Sequence, residues 1–456
     1  MPSQHDMNVP FSRRRLLGAG LLSAAAVAVA ACSSQSTPSA PAAAPTAGSA
    51  ASAATSPAGP TSAPAATNAG ASASSNVTIG YWNDYGGANG KAMDDLLAQF
   101  QKETGVKIDQ QRMNSTDINA KIRVSNQSGQ NPDLLMLNSF AIPSPAEAGI
   151  LEEMDEKVLA DKGFVAKDFS PLAWGTPIYN GKRYGLPLDA VMYVMYLNNS
   201  VFKAAGLAGS DGTPQIPTDQ TSLMSAAKKM SSGGNYGLSI GGPGAANIEY
   251  LLWQNDANVY TADLTKSALD QPAAIEVGTW FGSLTTTEKV APPIGTDDLK
   301  AFIAGKEGIL IGGSWNVSGF DAAKIAYTPA VVPTIFKKPT TWADTHNYTL
   351  PKQPKLDDAK RNASWQMMKW FQDHSPTWTL TGGVLGASLK AQTDPKVLAN
   401  PALKVMAAMA PNWGFAQHTP KWAVWDVKAP PVLQAIYNGQ TPAKDALTQL
   451  ASALSQ

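Results

Sequence analysis

The side chains able to do chemistry are few and scattered. Four histidines, His5, His346, His374 and His418, and one cysteine, Cys32, give no set with zinc-ligand spacing, so neither a metal nor another cofactor is expected. "GLSIG", Gly237 to Gly241, matches the G-x-S-x-G pattern of a hydrolase elbow, with Ser239 as the nucleophile. That elbow needs a strand, a sharp turn and a helix in immediate succession, and a glycine-proline loop, "GGPGAAN", follows here. "GGANGKA", Gly86 to Ala92, approaches a phosphate loop, but it is one residue short between glycines and has Ala92 in place of Ser or Thr. Carboxylates are plentiful, without a spacing that marks a glycosidase pair. The better candidates are Trp82, Asp84, Asn138 and Ser139, which fall at the carboxyl ends of expected strands, where open α/β sheets place ligands.

The elements that would position them follow from periodicity. Val77, Ile79 and Tyr81 alternate as a strand. Met93, Leu96, Leu97 and Phe100 share one helical face, with Gly105 as the stop, and Val106 and Ile108 begin a second strand. This is a β-α-β unit, which predicts a parallel sheet. A helix is expected over Asp117 to Ser128, then a buried strand after Pro132. "YGLPLDAVMYVMYLNNSVFKAAGL" has a Gly-Pro break and a long apolar run. "IEYLLWQNDANVY" and "AAIEVGTWFGSL" read as helices, and "DLKAFIAGKEGILIGGSW" as helix, turn, strand and loop. Ser364, Met367, Met368 and Phe371 align on one late helix, and Ala443, Ala446, Leu447, Leu450 and Leu454 on the last.

Composition narrows the function. Lys+Arg and Asp+Glu balance at 35 each, and removing Asp6 and Arg13 to Arg15 with a leader leaves a slight acidic excess. That is no footprint for nucleic acid or anionic lipid. Twelve Trp with 15% charged residues fit aromatic-lined concave surfaces. The folded body exceeds one core and suggests at least two domains.

Arg13 to Arg15 precede an apolar run from Leu16 to Ala31, the layout of an export signal. About sixteen residues, mostly Ala and Gly, fall short of the roughly twenty that span a bilayer. Val29-Ala30-Ala31 before Cys32 resembles the bacterial lipobox. The resemblance implies cleavage of a signal peptide, residues 1–31, and acylation of Cys32. Ser12 to Leu17 also resembles a twin-arginine signal, and both that route and general secretion stay open. Residues 32–75 combine the lipidated cysteine with an Ala/Ser/Pro-rich tether expected to be disordered. No disulfide can form within a chain of one cysteine, so the body relies on core burial.

Several stretches together resemble the extracellular solute-binding lipoproteins of ATP-driven importers, in the branch that mostly binds sugars. They are "YLNNSVFKAAGL", "FIAGKEGILIGGSW", "LLWQNDANVY", "THNYTLPKQ" and "NASWQMMKWFQDHSPTWTLTGGVLGASLKA". The resemblance implies an α/β, two-lobed periplasmic-binding-protein-like (type II) fold. Its N-lobe would be 77–187 plus 334–373 and its C-lobe 188–333 plus 374–456, with hinges near Pro187 and Pro333. It also implies a monomeric, non-enzymatic receptor on the outer face of the cytoplasmic membrane, with two permease subunits driven by an ATPase as partners. Aromatic planes suit the C–H face of a sugar and carboxylates or amides its hydroxyl rim. The ligand-binding candidates are therefore Trp82, Asp84, Asn138, Asp189, Trp253, Trp315, His346 and Trp413. Trp315 leads them, because it follows a buried strand and two glycines. A glycerophosphodiester or polyamine in the same role, or a secreted hydrolase using Ser239, are the alternatives.

Overall fold

Alternation at Ile79 and Tyr81 produces the first strand, β1 (Thr78–Asn83), of a computed structural model that describes residues 77–456. The export signal, Cys32 and the tether lie outside the described residues. Helix α1 (Gly87–Thr104) buries Met93, Leu96, Leu97 and Phe100 and stops at Gly105, whose left-handed φ of 75° costs a glycine nothing. Strand β2 (Lys107–Arg112) follows, then α2 (Ser115–Ser128), whose Asn114 cap accepts from the Asp117 amide at 2.8 Å. Strand β3 (Leu134–Asn138) is wholly buried.

The long apolar run becomes β4 (Leu186–Asn198), thirteen residues and all buried. Strand β5 (Tyr236–Ser239), α3 (Ala245–Gln254), α4 (Pro272–Thr286), β6 (Glu307–Gly313) and β7 (Thr341–Thr349) come next. The chain ends through α5 (Asp358–Asp373), α6 (Trp422–Tyr437) and α7 (Ala443–Leu454). The faces expected on α5 and α7 are the buried ones. Helix α6 runs through Pro430 and Pro431, two residues that ordinarily break a helix.

The main sheet has the order β2-β1-β3-β7-β4-β6-β5. Strands β1 to β3 are parallel, as is the β5/β6 pair. The centre departs from the expected parallel sheet, for β7 runs antiparallel to both β3 and β4, and β4 antiparallel to β6. The chain crosses the middle of the sheet in β4 and comes back through β7, and a returning strand enters from the opposite end. Strand β4 also changes partner along its length. Leu186 to Met192 pair with β7, and Tyr193 to Leu197 pair with β6. Pro187, which has no N–H to give, faces Asn347 beside the register shift after His346. The faces of β4 feed two cores. Val191, Tyr193, Met195 and Leu197 join the larger one, while Met192, Val194 and Tyr196 pack with Phe320, Leu403 and Met406.

Candidate functional site

Side chains two apart on a strand share a face, and β4 and β7 use this at the sheet centre. Val191 and Tyr193 of β4, with Trp342 and His346 of β7, line a cleft of about 560 Å³. The start of α1 supplies Gly86 to Asn89, the end of β3 and the turn after it supply Asn138 and Phe140, α3 supplies Asn247, and α6 supplies Trp422 and Asp426. The aromatic lining is ordered in pairs. Trp342 stacks on Tyr193 at 5.1 Å and 30°, and Trp422 on Phe140 at 3.7 Å and 28°. Trp315 stands edge-on to Trp342 at 6.4 Å and 87° and is 41% exposed. It sits in a single turn, Ser314–Asn316, at the end of β6. A Cβ on Gly313 would fall inside the Trp315 ring, so this glycine lets the indole fold back over its own strand.

The polar end is built on Asp189. This fully buried carboxylate meets His346 Nδ1 at 2.7 Å and accepts from Trp378 Nε1 at 2.8 Å and the Tyr85 hydroxyl at 3.3 Å. Burial pulls the His346 pKa down, but Asp189, Asp84 and Asp344 outweigh it and raise it to about 9. His346 is therefore cationic at neutral pH, with Nδ1 committed to Asp189. Burial raises the Asp84 carboxyl, and lifts Asp344 to about 6 against hydrogen bonds from Ser139. The cleft thus joins flat apolar rings to a rim of amide, carboxyl and imidazolium.

Of the sequence candidates, Asp84, Asn138, Trp315 and His346 line this cleft. Asp189 stands behind it, holding His346. Trp82 is buried, with the Lys121 ammonium 4.4 Å over its ring. Trp253 is half-buried against Gly414, and Trp413 packs with Phe415 beside the smaller core. Ser139 is buried and bonded to Asp344. Sequence reasoning missed Tyr193, Trp342, Trp422 and Asn247. Counting backwards in twos along a strand from His346 reaches Asp344 and then Trp342, a signal that the sequence does carry. Ser239 donates to Asp298 Oδ1 at 2.8 Å, and a glycine-rich loop separates it from α3.

A sheet crossed twice at its centre, with an aromatic and polar cleft at the crossing, defines a two-lobed α/β binding protein. Residues 95–405 match the sequence model of the bacterial extracellular solute-binding proteins, and the chain belongs to that family. It is similar to the maltotriose-binding protein of Pyrococcus abyssi, at 24% identity over 68% of this chain and 66% of that protein. A maltooligosaccharide ABC transporter solute-binding lipoprotein of Streptococcus pneumoniae is 25% identical over 53% of this chain and 56% of its own. Among solved structures, the maltose/maltodextrin-binding domain MalE of Bdellovibrio bacteriovorus bound to maltotriose superposes with a TM-score of 0.74 at 21% identity. That match covers 83% of this chain and 99% of the solved one and shows the fold.

Proposed function

We propose that this chain is an extracytoplasmic carbohydrate receptor that hands a sugar to an ATP-driven membrane importer. The observation that carries the reading is the pairing of stacked aromatic rings with Asp84, Asn138, Asn247 and His346 around one ligand-sized cleft. Rings cover the C–H face of a pyranose without needing a polar partner, and the rim groups accept from or donate to its hydroxyls. Relatives named for maltotriose and maltooligosaccharides support the class of ligand. Asp84, Asn138, Trp315 and His346 are the proposed contacts, and Asp189 acts through His346.

The role needs a hinge and an anchor. The lobes are 77–187 plus 334–373 and 188–333 plus 374–456, and closure around the sugar presents both to two permease subunits. Acylated Cys32, after removal of residues 1–31, holds a monomeric receptor to the outer face of the cytoplasmic membrane, and one relative is named a lipoprotein. Export by the twin-arginine route is compatible with Arg13 to Arg15. The receptor binds and releases; it does not turn its ligand over. A polyamine is the second reading, favoured by Asp84 and Asp426 in the lining and opposed by the cationic His346.

A ligand that binds only the folded state raises its melting temperature. Thermal-shift measurement with maltotriose, mannobiose, monosaccharides, spermidine and glycerophosphocholine tests the reading. A shift with at least one carbohydrate is expected. A shift with spermidine alone would transfer the role to a polyamine.

A further inference from the structure

Glu249 is the acidic residue of α3; it is 1% exposed and does not line the cleft. A buried carboxyl needs hydrogen-bond donors, and its surroundings supply donors of one kind. The Trp422 indole N–H donates to Glu249 Oε1 at 3.1 Å. Trp425 of α6 and Trp342 of β7 bring their indole N–H groups near enough to offset part of the burial penalty. Neither of these nitrogens makes a hydrogen bond among the described residues, nor does Glu249 Oε2, the acceptor left open to them. Two of these three rings form the cleft's stacked pairs, Trp342 on Tyr193 and Trp422 on Phe140. The Tyr193 hydroxyl is itself bonded to Asn247, one half-turn earlier on α3.

We infer that Glu249 is a positioning residue of the cleft. Its carboxyl gathers the indole N–H groups of Trp342, Trp422 and Trp425 and fixes the spacing of the two aromatic pairs that meet the ligand. This rests on the cleft being the ligand site. An ionised carboxylate accepts at both oxygens, whereas a protonated one turns one oxygen into a donor facing donors. Burial pushes the Glu249 pKa up to about 8, so that change falls within an accessible range. The groups facing Glu249 are Asp344 of β7, whose charge raises it further, and the Tyr193 and Tyr260 hydroxyls, whose pKa values it raises. The Lys421 ammonium lies 5.8 Å from the Tyr260 ring and is bonded to the Leu264 carbonyl.

The test follows the tryptophan indole N–H resonances of the full-length chain by NMR, assigned by single Trp→Phe replacement. In the wild type, the Trp342, Trp422 and Trp425 resonances are expected to move together between pH 6 and 9. The common curve should vanish in Glu249→Gln and persist in Asp344→Asn. Glu249→Gln should also bind maltotriose about tenfold more weakly at pH 9, where the wild-type carboxyl is ionised, while keeping a folded spectrum. Three unrelated titrations, or a Glu249→Gln protein with unmoved indoles and unchanged affinity, would overturn the inference. A wild type that takes up no carbohydrate would overturn the sugar reading instead, and the shared indole titration would then decide the role of Glu249 alone.

Discussion

Asp189 shows how one side chain serves the site without touching the cavity. Its three donors come from β7, from the turn before α1 and from the helix carrying Trp378, so one carboxylate ties together parts distant in sequence. Asp189→Asn removes the charge and leaves an amide facing donors. Breaking a buried charged pair in this way costs about 3–5 kcal/mol, measurable by denaturant unfolding. The His346 pKa, followed by imidazole NMR, should fall from about 9 towards its ordinary range. An unchanged His346 titration would show that its charge does not depend on Asp189. Sequence placed Asp84 and Asn138 at strand ends, which are legible from local pattern, Asp189 at the expected hinge after Pro187, and His346 in a stretch that resembles the family. It could not separate the residue in the cleft from the one behind it, since that distinction lies in the antiparallel register of His346 against Asp189.

At the level of elements, β6 and its turn carry Trp315, and Gly313 is the joint between them. A Cβ at Gly313 would occupy the place of the Trp315 ring. Gly313→Ala should therefore push the indole out of the cleft wall and weaken carbohydrate binding by about tenfold or more. The fold should lose little, because the ring is 41% exposed. Titration calorimetry with the melting temperature checks both halves; unchanged affinity would mean that the ring position does not matter. Gly237 makes the opposite case, since its Cβ would run into the Ala227 backbone. Gly237→Ala should lower the melting temperature and leave the affinity of the folded fraction intact. Elements β1, α1, α5 and α7 were legible because each has one buried face with a clean period. Helix α6 was not, because Pro430 and Pro431 read as a break, and Trp422 was hidden with it. Strand β7 was hidden for another reason: only pairing with β3 and β4 makes "TWADTHNYT" a fully buried strand.

Across the whole molecule, four buried groups are shifted upward together. Burial raises Glu249 to about 8 and Asp344 to about 6, and burial with Asp298 beside it raises Glu307 to about 9. His346 is raised to about 9. A group whose folded pKa lies above its unfolded one contributes stability that is complete below the unfolded value and is lost as pH rises through the folded one. The melting temperature should thus fall from about pH 5 to pH 9, by something on the order of 5–10 °C. Glu307→Gln should flatten part of that slope; a melting temperature that climbed over the same range would contradict these signs. Lobe motion belongs to this scale too. Thr116 of α2 donates to Asp426 of α6 at 2.8 Å, and Phe140 stacks on Trp422, so the proposed lobes already touch beside the cleft. Losing both contacts would open it, and ligand should shrink the radius of gyration in solution scattering.

The central claim is that a carbohydrate binds on the aromatic wall that includes Trp315. Calorimetric titration of the wild type and Trp315→Ala, with whichever carbohydrate raises the melting temperature, tests it most directly. Losing an aromatic anchor typically costs about 2–4 kcal/mol, or roughly 30- to 1,000-fold in affinity. A loss of that size is predicted, with a melting temperature close to wild type. A Trp315→Ala protein that melts far lower yet still binds the carbohydrate at wild-type strength would contradict the claim.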